Sequence, residues 1–227
     1  MQRIFDIVFS GIALIFLSPL LLPLMFFLRV TGEGEIFFPQ NRVGRDHKSF
    51  KLYKFATMLK DSPNIATGTV TVHNDPRILP MGGFLRKTKI NELPQLINIF
   101  KGDMSVVGPR PQTQRCFNAF PESAQNDIAN VRPGLSGIGS IVFRSEENMM
   151  HANADPDRLY DDVIMPYKGK LESWYVRNNS LWNYFLLIAL TIFVILSRST
   201  HLIFRCYSSL PRPPAALNTF ISSDYYE

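Results

Sequence analysis

A dense apolar block near the amino terminus, Ile4–Leu28, constrains the fold of this chain more than any other stretch. As one straight helix it would be about 37 Å long, enough to cross a hydrocarbon core of about 30 Å. Ser18-Pro19 lies near its middle, where a proline removes a backbone hydrogen bond and bends a helix. A neighbouring serine can form a hydrogen bond to the freed carbonyl, so such a break is tolerated in lipid.

Arg3 and Arg29 flank the two ends of the apolar block, so the charge distribution does not indicate in which direction the helix would cross the membrane. The residues alone leave open a spanning helix and a re-entrant helix that bends at Pro19 and leaves on the face it entered.

Composition bounds the class of partner. The 227 residues suit one domain of ordinary size with appendages. A formal net charge of +5 and an isoelectric point near 9.3 favour an anionic partner, namely a membrane surface, a nucleotide or a nucleic acid. No nucleic-acid-binding module or stacking motif accompanies this charge, so we do not expect nucleic acid as the partner. Cys116 and Cys206 lie far apart without metal-ligand spacing, which argues against a disulfide framework or zinc site and favours a reducing, cytosolic compartment.

The stretch from Lys87 to Pro111 predicts a short helix with charged groups at both ends. Asn91 suits the N-cap, Glu92 the positive end of the helix dipole, and Pro94 the first turn. The apolar positions that follow repeat at the i, i+3, i+4 and i+7 spacing of a helix with one buried face: Leu93, Leu96, Ile97 and Phe100. Gly102 is predicted to stop this helix.

Two carboxylates and a rigidly mounted arginine accompany the predicted helix. Glu92 lies at its start, Asp103 just past its end, and Arg110 between two prolines. Helix N-termini and arginine forks bind phosphates, and carboxylates at such a place favour a divalent cation such as Mg²⁺. Glu92 and Asp103 are therefore predicted metal ligands. The alternative is that these carboxylates only cap a helix and fill a turn, and spacing alone does not decide between the two.

Further basic residues surround this stretch. Arg77, Arg86 and Arg110 bracket Glu92 in sequence, which suits a diphosphate site better than a random surface. Two strands, 36–41 and 49–55, are predicted to form a basic hairpin around the turn 44–47. Most of its lysines are expected to face lipid headgroups. Lys54, near the end of the second strand, is included among the phosphate-binding candidates. Residues 61–74 are polar and rich in threonine and glycine, which predicts a loop.

A series of ordered blocks continues over most of the chain, almost to Leu196. The blocks are NRVGR (41–45), FKLYKF (50–55), NDPR (74–77), FLRKT (84–88), ELPQL (92–96), KGDMSVVGPRP (101–111), VRPG (131–134), WYV (174–176) and NNSLW (178–182). With these blocks the chain resembles the bacterial sugar transferases, monotopic phosphoglycosyl transferases that move a sugar-1-phosphate onto a polyprenyl phosphate.

The resemblance implies a re-entrant membrane helix broken at Ser18-Pro19 and an active site on the cytosolic face of the bacterial inner membrane. It also implies a UDP-sugar donor, Mg²⁺, and ping-pong chemistry in which the aspartate of an Asp-Glu pair attacks the donor's β-phosphate. The polyprenyl (undecaprenyl) phosphate then takes the phosphosugar, and UMP is the other product. Such a reaction commits a sugar to the membrane at the start of a surface glycan, for example an exopolysaccharide or O-antigen. By resemblance, Arg132 belongs to the donor site.

The chain departs from the family pattern at its most important position, where Asn91 stands in place of the aspartate. A neutral amide is a very poor nucleophile toward phosphorus, so four accounts are open. Glu92 serves as nucleophile; the chain transfers directly without a covalent intermediate; the chain binds substrates without turnover, as a scaffold; or an engineered Asp-to-Asn change traps a complex. Two lesser departures are Ala56, where the family commonly has arginine, and Ile138-Gly139-Ser140, where it usually has Trp-Ala-Gln.

These observations together predict an α+β fold with three parts. Residues 1–30 form a re-entrant helix-break-helix. Residues 31–205 form a small, mostly helical cytosolic domain with a short β-hairpin, and residues 206–227 form a flexible tail. The apolar stretch 184–196 is about half the length of a membrane crossing and is predicted to lie in the interface as an amphipathic helix. Membrane lipids are therefore expected partners, and a homodimer is compatible with this arrangement.

Overall fold

The apolar block forms one uninterrupted helix, α1, which spans Gln2–Val30 and contains Pro19 and Pro23. The predicted break at Ser18-Pro19 therefore does not end the helix. Pro19 has no N–H for the carbonyl of Ile15, and the Ser18 hydroxyl donates to that carbonyl at 2.7 Å. The rebonding expected of the serine is confirmed. Within the described part of the chain, α1 is the one helix long and apolar enough to cross a membrane.

The computed structural model describes residues 1–62, 75–144, 146–151, 155–197 and 200–221. The chain divides into two units. The amino-terminal unit comprises Phe5–Asn41 and Lys51–Lys101, and the carboxy-terminal unit comprises Met1–Ile4, Arg42–Phe50 and Gly102–Glu227. Most of the loop predicted at 61–74 lies outside the described residues.

The boundary between the units runs through a β-hairpin of β1, Gln40–Val43, and β2, Ser49–Leu52. A 3-10 turn at Arg45–His47 connects the two strands. The predicted hairpin is confirmed, but its strands are shorter than 36–41 and 49–55. Outside the ladder, Phe37 and Phe55 pair through an isolated bridge and stack their rings at 5.7 Å.

The amino-terminal unit packs α1 against the chain around α2, Gly82–Lys87. A 3-10 turn at Ile90–Glu92 follows, and then α3, Gln95–Lys101. The buried apolar side chains of this core are Leu21, Leu28, Phe55 and Leu85. Ile90 packs against this apolar core, so the core fixes the position of the Ile90–Glu92 turn within the amino-terminal unit.

The predicted helix start at Asn91 is wrong, since α3 begins four residues later. The predicted buried face is also wrong in part, because Phe100 is 49% exposed while Asn98 is fully buried. Asn98 explains the difference. Its Nδ2 donates to the Lys51 carbonyl at 2.8 Å and its Oδ1 accepts the Tyr53 N–H at 2.9 Å, so a polar residue faces inward to bridge α3 and the β2 segment. The stop at Gly102 is confirmed, with φ of 102° directly after α3.

In the carboxy-terminal unit two short strands pair in parallel: β3, Ser105–Val107, and β4, Gly134–Ser136. The chain between them forms α4, Gln114–Asn118, and α5, Glu122–Ala129. A π-helical turn at Tyr160–Ile164 lies among the later helices. These are α6 (Ile138–Val142), α7 (Glu146–His151), α8 (Pro156–Leu159), α9 (Met165–Arg177), α10 (Leu181–Ser197), α11 (His201–Cys206) and α12 (Ala215–Ile221).

Helix α9 is the centre of this unit, since it packs on both α5 and α6. Helix α10 is two-faced. Its buried face packs beside β3, β4 and α6 through Leu187 and Leu190, while Trp182 and Leu196 are 75% and 79% exposed. Its 17 residues measure about 25 Å. One face of α10 is buried and the other is exposed, but the exposed face is largely apolar as well, so the amphipathic, interfacial helix predicted for 184–196 stays a prediction.

Beyond residue 205, helix α12 buries Leu217 and Ile221, and the Tyr167 hydroxyl on α9 donates to the Pro211 carbonyl at 2.8 Å. The flexible tail predicted for 206–227 stays a prediction. Residues 222–227 lie outside the described chain.

Candidate active site

The Asn91-Glu92 pair lies in the 3-10 turn of the amino-terminal unit, directly after Lys89, whose φ of 60° is left-handed. The Asn91 carbonyl accepts the Phe55 N–H at 2.9 Å, which fixes the turn on the segment after β2. Asn91 is 8% exposed, and its Oδ1 has no hydrogen-bond partner among the described residues. Leaving a buried amide oxygen unpaired costs free energy, so stability alone does not account for this side chain.

Glu92 and Lys54 form an ion pair beside Asn91. Glu92 Oε1 lies 3.6 Å from Lys54 Nζ, and the two side chains are 19% and 20% exposed. Partial exclusion of water strengthens the attraction relative to a surface pair. The structure thus brings together three of the predicted site residues, and of the two candidate catalytic groups Glu92 is the more accessible.

The other two candidates of this unit differ sharply. Arg86 is partly exposed on α2, with Nη1 3.1 Å from the Met58 sulfur. Arg77 is 2% exposed and forks with Asp75, its Nε and Nη2 donating to the two carboxylate oxygens at 2.8 and 2.5 Å. Its Nη1 donates to the Ser62 carbonyl at 2.6 Å. A buried fork of this kind is typical of a structural pair. A phosphate-binding role for Arg77 stays a prediction, which this geometry does not support.

The carboxy-terminal unit carries Arg110 and Arg132 on interlocked backbone segments. The Gly134 N–H donates to the Pro109 carbonyl at 2.8 Å, so the chain after β3 folds back over the start of β4. A Cβ on Gly108 would lie 2.5 Å from the Arg132 carbonyl oxygen, and a Cβ on Gly134 would overlap the Gly108 backbone nitrogen. Only glycines permit this approach, and it brings the GPRP and VRPG segments together.

The side chains of these segments differ in exposure. Arg110 is exposed, whereas Arg132 is partly buried and its Nε donates to the Gly102 carbonyl at 2.8 Å. Asp103, the second predicted metal ligand, follows Gly102 and is partly buried. Within the described ranges no three acidic, histidine or cysteine side chains gather as a metal-binding group. Asp103 belongs to the carboxy-terminal unit and Glu92 to the amino-terminal unit.

Comparison with known proteins identifies the family. Residues 1–198 of the chain match the sequence model of a family that is described as bacterial sugar transferase. The chain belongs to the bacterial sugar transferase family. An undecaprenyl-phosphate galactose phosphotransferase of Salmonella typhimurium is 34% identical over 213 residues, 87% of this chain. A UDP-glucose:undecaprenyl-phosphate glucose-1-phosphate transferase of Escherichia coli is 31% identical over 196 residues, 85% of this chain. The exopolysaccharide production protein ExoY of Rhizobium meliloti is 32% identical over 215 residues, 88% of each chain.

The length of these relatives varies. The chain spans 41% of the Salmonella relative and 39% of the Escherichia relative, so it matches about two fifths of each. The family match over residues 1–198 runs from α1 through α10.

Two ionisable residues that the structure buries, Lys168 and Glu172 on α9, were not predicted from the sequence. They are 2% and 1% exposed. Lys168 Nζ lies 2.8 Å from Glu146 Oε2, and it also sits 5.3 Å from the centre of the Phe143 ring. Their i, i+4 spacing, just before the WYV block, was the available signal. It was overlooked because such pairs usually lie on solvated helix faces.

We expect Gly134→Ala to lower the free energy of unfolding by about 3 kcal/mol, because the new Cβ would overlap the Gly108 backbone nitrogen. The matched control is Gly83→Ala, since a Cβ there meets nothing within 4 Å and alanine favours a helix. It should raise the free energy of unfolding by about 0.5–1 kcal/mol. Urea unfolding of the detergent-solubilised proteins, followed by circular dichroism, measures both. Equal stability of the two variants would contradict the interlock.

Proposed function

We propose that this sugar transferase moves a sugar phosphate from a UDP-sugar to a polyprenyl phosphate, giving a polyprenyl-diphospho-sugar and UMP. The observation that carries the proposal is the accessible Glu92 carboxylate, paired with Lys54 in a fixed turn. The Salmonella and Escherichia relatives support the substrate classes, since both are named as transferases that act on undecaprenyl phosphate. The product would be the first membrane-bound intermediate of a surface glycan, and the ExoY relative favours an exopolysaccharide over an O-antigen.

Glu92 is the proposed nucleophile, because Asn91 offers only a neutral amide and is the less accessible of the two. A Glu92 oxygen attacks the donor's β-phosphorus, the bond from that phosphorus to the bridging oxygen breaks, and UMP leaves. An oxygen of the polyprenyl phosphate then attacks the same phosphorus and releases Glu92. Both substrates are anionic, so basic groups must balance the charge of the transition state. Lys54, next to Glu92, supplies one such group.

Arginines are the proposed phosphate-binding groups of each unit. Arg86 serves in the amino-terminal unit, and Arg110 and Arg132 serve in the carboxy-terminal unit. Arginine presents a planar fork that suits phosphate oxygens, and the proline-mounted Arg110 loses little freedom on binding. Arg77 is not included, because Asp75 already occupies its fork.

Mg²⁺ is the proposed metal, and the residues present fit only one mode of binding it. The described part of the chain lacks a group of three acidic or histidine ligands. Mg²⁺ is commonly held by one or two carboxylates together with substrate phosphates, and that mode suits isolated carboxylates such as Glu92 and Asp103. When bound, the ion would neutralise charge on the donor's diphosphate.

The proposed location is the cytosolic face of the inner membrane, with α1 entering the bilayer and leaving on the same face. Pro19 marks the bend, and the Ser18 hydroxyl supports it because the Ile15 carbonyl stays bonded when the helix bends. Arg3 and Arg29 at the two ends favour a headgroup position for both. The exposed apolar face of α10 would lie in the interface, so that a polyprenyl acceptor can approach from the lipid.

A catalytically disarmed transferase is the second candidate, and Asn91 favours it. The buried, neutral Asn91 Oδ1, which has no hydrogen-bond partner within the described part of the chain, stands where the family resemblance implies a charged oxygen. Such a chain would bind a UDP-sugar or lipid phosphate and scaffold glycan assembly without turnover.

The decisive experiment measures UMP release from a panel of UDP-sugars, with Mg²⁺ and with or without undecaprenyl phosphate. We expect one donor to give multiple turnovers only when the acceptor is present, and at most one UMP per chain when it is absent. Multiple turnover without a donor-only UMP burst would exclude the covalent route. If no donor gives UMP while UDP still binds, the disarmed transferase replaces the enzyme.

A further inference from the structure

Helix α3 buries a side-chain amide that bonds to the backbone beside Lys54. Asn98 on this helix is fully buried. Its Nδ2 donates to the Lys51 carbonyl at 2.8 Å, and its Oδ1 accepts the Tyr53 N–H at 2.9 Å. A peptide group of a neighbouring strand pairs with residues i and i+2 in the same way. The Asn98 side chain therefore takes the place of a strand along the edge that continues β2.

The backbone that follows Lys54 is bonded as well. The Phe55 N–H donates to the Asn91 carbonyl at 2.9 Å, which ties this edge to the turn that carries Glu92. On the opposite edge, the Lys54 carbonyl accepts the Phe38 N–H at 2.8 Å. Lys54 therefore lies between a residue bonded to α3 and a residue bonded to the turn of Glu92.

These backbone contacts determine where the Lys54 ammonium lies. Its Nζ is 3.6 Å from Glu92 Oε1. A lysine has a long and flexible stem, so the position of its charge depends on how firmly its backbone is held. Without the Asn98 amide, the edge would keep the Phe55 hydrogen bond to the turn but lose both hydrogen bonds to Asn98. The ammonium would then sample a wider range of positions around the Glu92 carboxylate.

We propose that Asn98 is a positioning residue, whose amide fixes the backbone before Lys54 and so holds the Lys54 ammonium against the Glu92 carboxylate. The inference rests on the proposed function, because that function gives Lys54 the task of balancing charge during the transfer. Asn98 is fully buried on α3, so it acts through Lys54. A displacement of about 1 Å in a group that serves the transition state is enough to slow a reaction severely.

The test compares Asn98→Leu, Lys54→Met and the double variant in steady-state UMP release. Each full chain is assayed in detergent with Mg²⁺, saturating undecaprenyl phosphate and the UDP-sugar that gives the unaltered chain its highest rate. Leucine keeps the approximate size of asparagine without its polar atoms, and methionine keeps the approximate length of lysine without its charge. We expect kcat to fall about tenfold in Asn98→Leu and about 100-fold in Lys54→Met. The donor KM should stay within about twofold, because Lys54 acts on the charge of the transition state.

The double variant provides a readout that a purely structural role would not give. Once the Lys54 charge is removed, Asn98 has nothing to position, so the double variant should be no slower than Lys54→Met. The Tm should respond differently, because Asn98→Leu removes the amide from the Lys51 carbonyl and the Tyr53 N–H whether or not residue 54 is charged. We therefore expect Asn98→Leu to lower the Tm equally in both backgrounds.

Gln125→Met is the matched control for the loss of a buried amide contact. The Gln125 amide on α5 donates to the Phe120 carbonyl at 2.8 Å, so this variant also removes a hydrogen bond from a side-chain amide to the backbone. Its kcat should stay within about twofold of that of the unaltered chain, whatever its Tm. All rates are compared at a temperature at which circular dichroism shows the variants folded.

Asn98→Ser is a second variant in case leucine prevents folding. Its side chain is smaller and fits the same space, but a hydroxyl does not span the two backbone groups that the amide joins. We expect kcat to fall about threefold in Asn98→Ser, and this loss should also vanish when residue 54 is methionine.

The outcomes separate the two proposals. If the unaltered chain releases no UMP with any donor, the proposed function is overturned and the role of Asn98 with it. If Lys54→Met is slow while the Asn98 variants keep a kcat within about twofold, only the positioning role is overturned. A normal rate in Lys54→Met overturns the positioning role as well. So do losses that multiply in the double variant, because Asn98 would then act independently of Lys54.

Discussion

Replacing Glu92 with glutamine is expected to lower UMP release at least about 1,000-fold, because the amide keeps the shape of the side chain but removes the attacking charge. It also leaves Lys54 without its partner at 3.6 Å. The measurement is initial rates with saturating undecaprenyl phosphate and the best UDP-sugar. If Glu92 is the nucleophile, the donor-only burst of UMP disappears in the variant as well.

The matched control for this change is Glu122→Gln, which alters an exposed glutamate at the start of α5. The rate of UMP release by Glu122→Gln should remain within about twofold of that of the unaltered chain, since substitutions of surface residues away from the active site and the core have small effects. A loss of less than about tenfold in Glu92→Gln would remove Glu92 from the chemistry. The pair with Lys54 would then be structural.

Replacing Asn91 with aspartate is expected to raise UMP release about 100-fold, because it places an ionisable oxygen where the neutral amide now stands. The Asn91 Oδ1 has no donor among the described residues, so no hydrogen bond would disperse the charge of the new carboxylate. An oxygen in that state is a better nucleophile. The same burial should make the variant less stable, because an unpartnered charge is costly to bury.

Asn130→Asp is the control for Asn91→Asp, since Asn130 is exposed at the end of α5 and its substitution should leave the rate unchanged. A double variant with Glu92→Gln separates the roles further. If it retains a donor-only UMP burst, the nucleophile has moved to position 91. If Asn91→Asp leaves the rate of UMP release unchanged or lowers it, an aspartate at position 91 does not act as the nucleophile in this chain, and its mechanism differs from the one that the family resemblance implies.

The sequence predicts the parts of this fold that depend on local rules. Pro19 predicted a missing backbone hydrogen bond, and Ser18 predicted a hydroxyl that would replace it. The Ser18 hydroxyl does donate to the Ile15 carbonyl. The hairpin of β1 and β2, and the glycine that ends α3, follow from turn chemistry and were predicted correctly. What failed was the buried face of α3, because Asn98 turns a polar side chain inward to bind the β2 segment. That bridge depends on a partner more than forty residues away, which periodicity does not contain.

In the candidate site, too, the sequence predicted individual residues but not the tertiary contacts between them. Glu92 and Lys54 were both nominated from sequence, but their pairing required the tertiary structure. Arg77 carries the same charge as Arg86, and Asp75 two residues before it was a local signal, but that spacing alone does not show that the pair is buried. Glu172 was missed because a glutamate on a helix is ordinarily exposed, and only the packing of α9 against α6 encloses it.

The interlocked glycines limit how this protein can vary. Gly108 and Gly134 bring two backbones closer than any side chain permits, although α4 and α5 separate them along the chain. Insertions or deletions in the connection that contains α4 and α5 can be absorbed there. A single added or lost residue within 108–110 or 132–134 would shift one arginine relative to the other. The two arginine segments must therefore change together, whereas the connection between them is constrained by a different contact, the packing of α5 on α9.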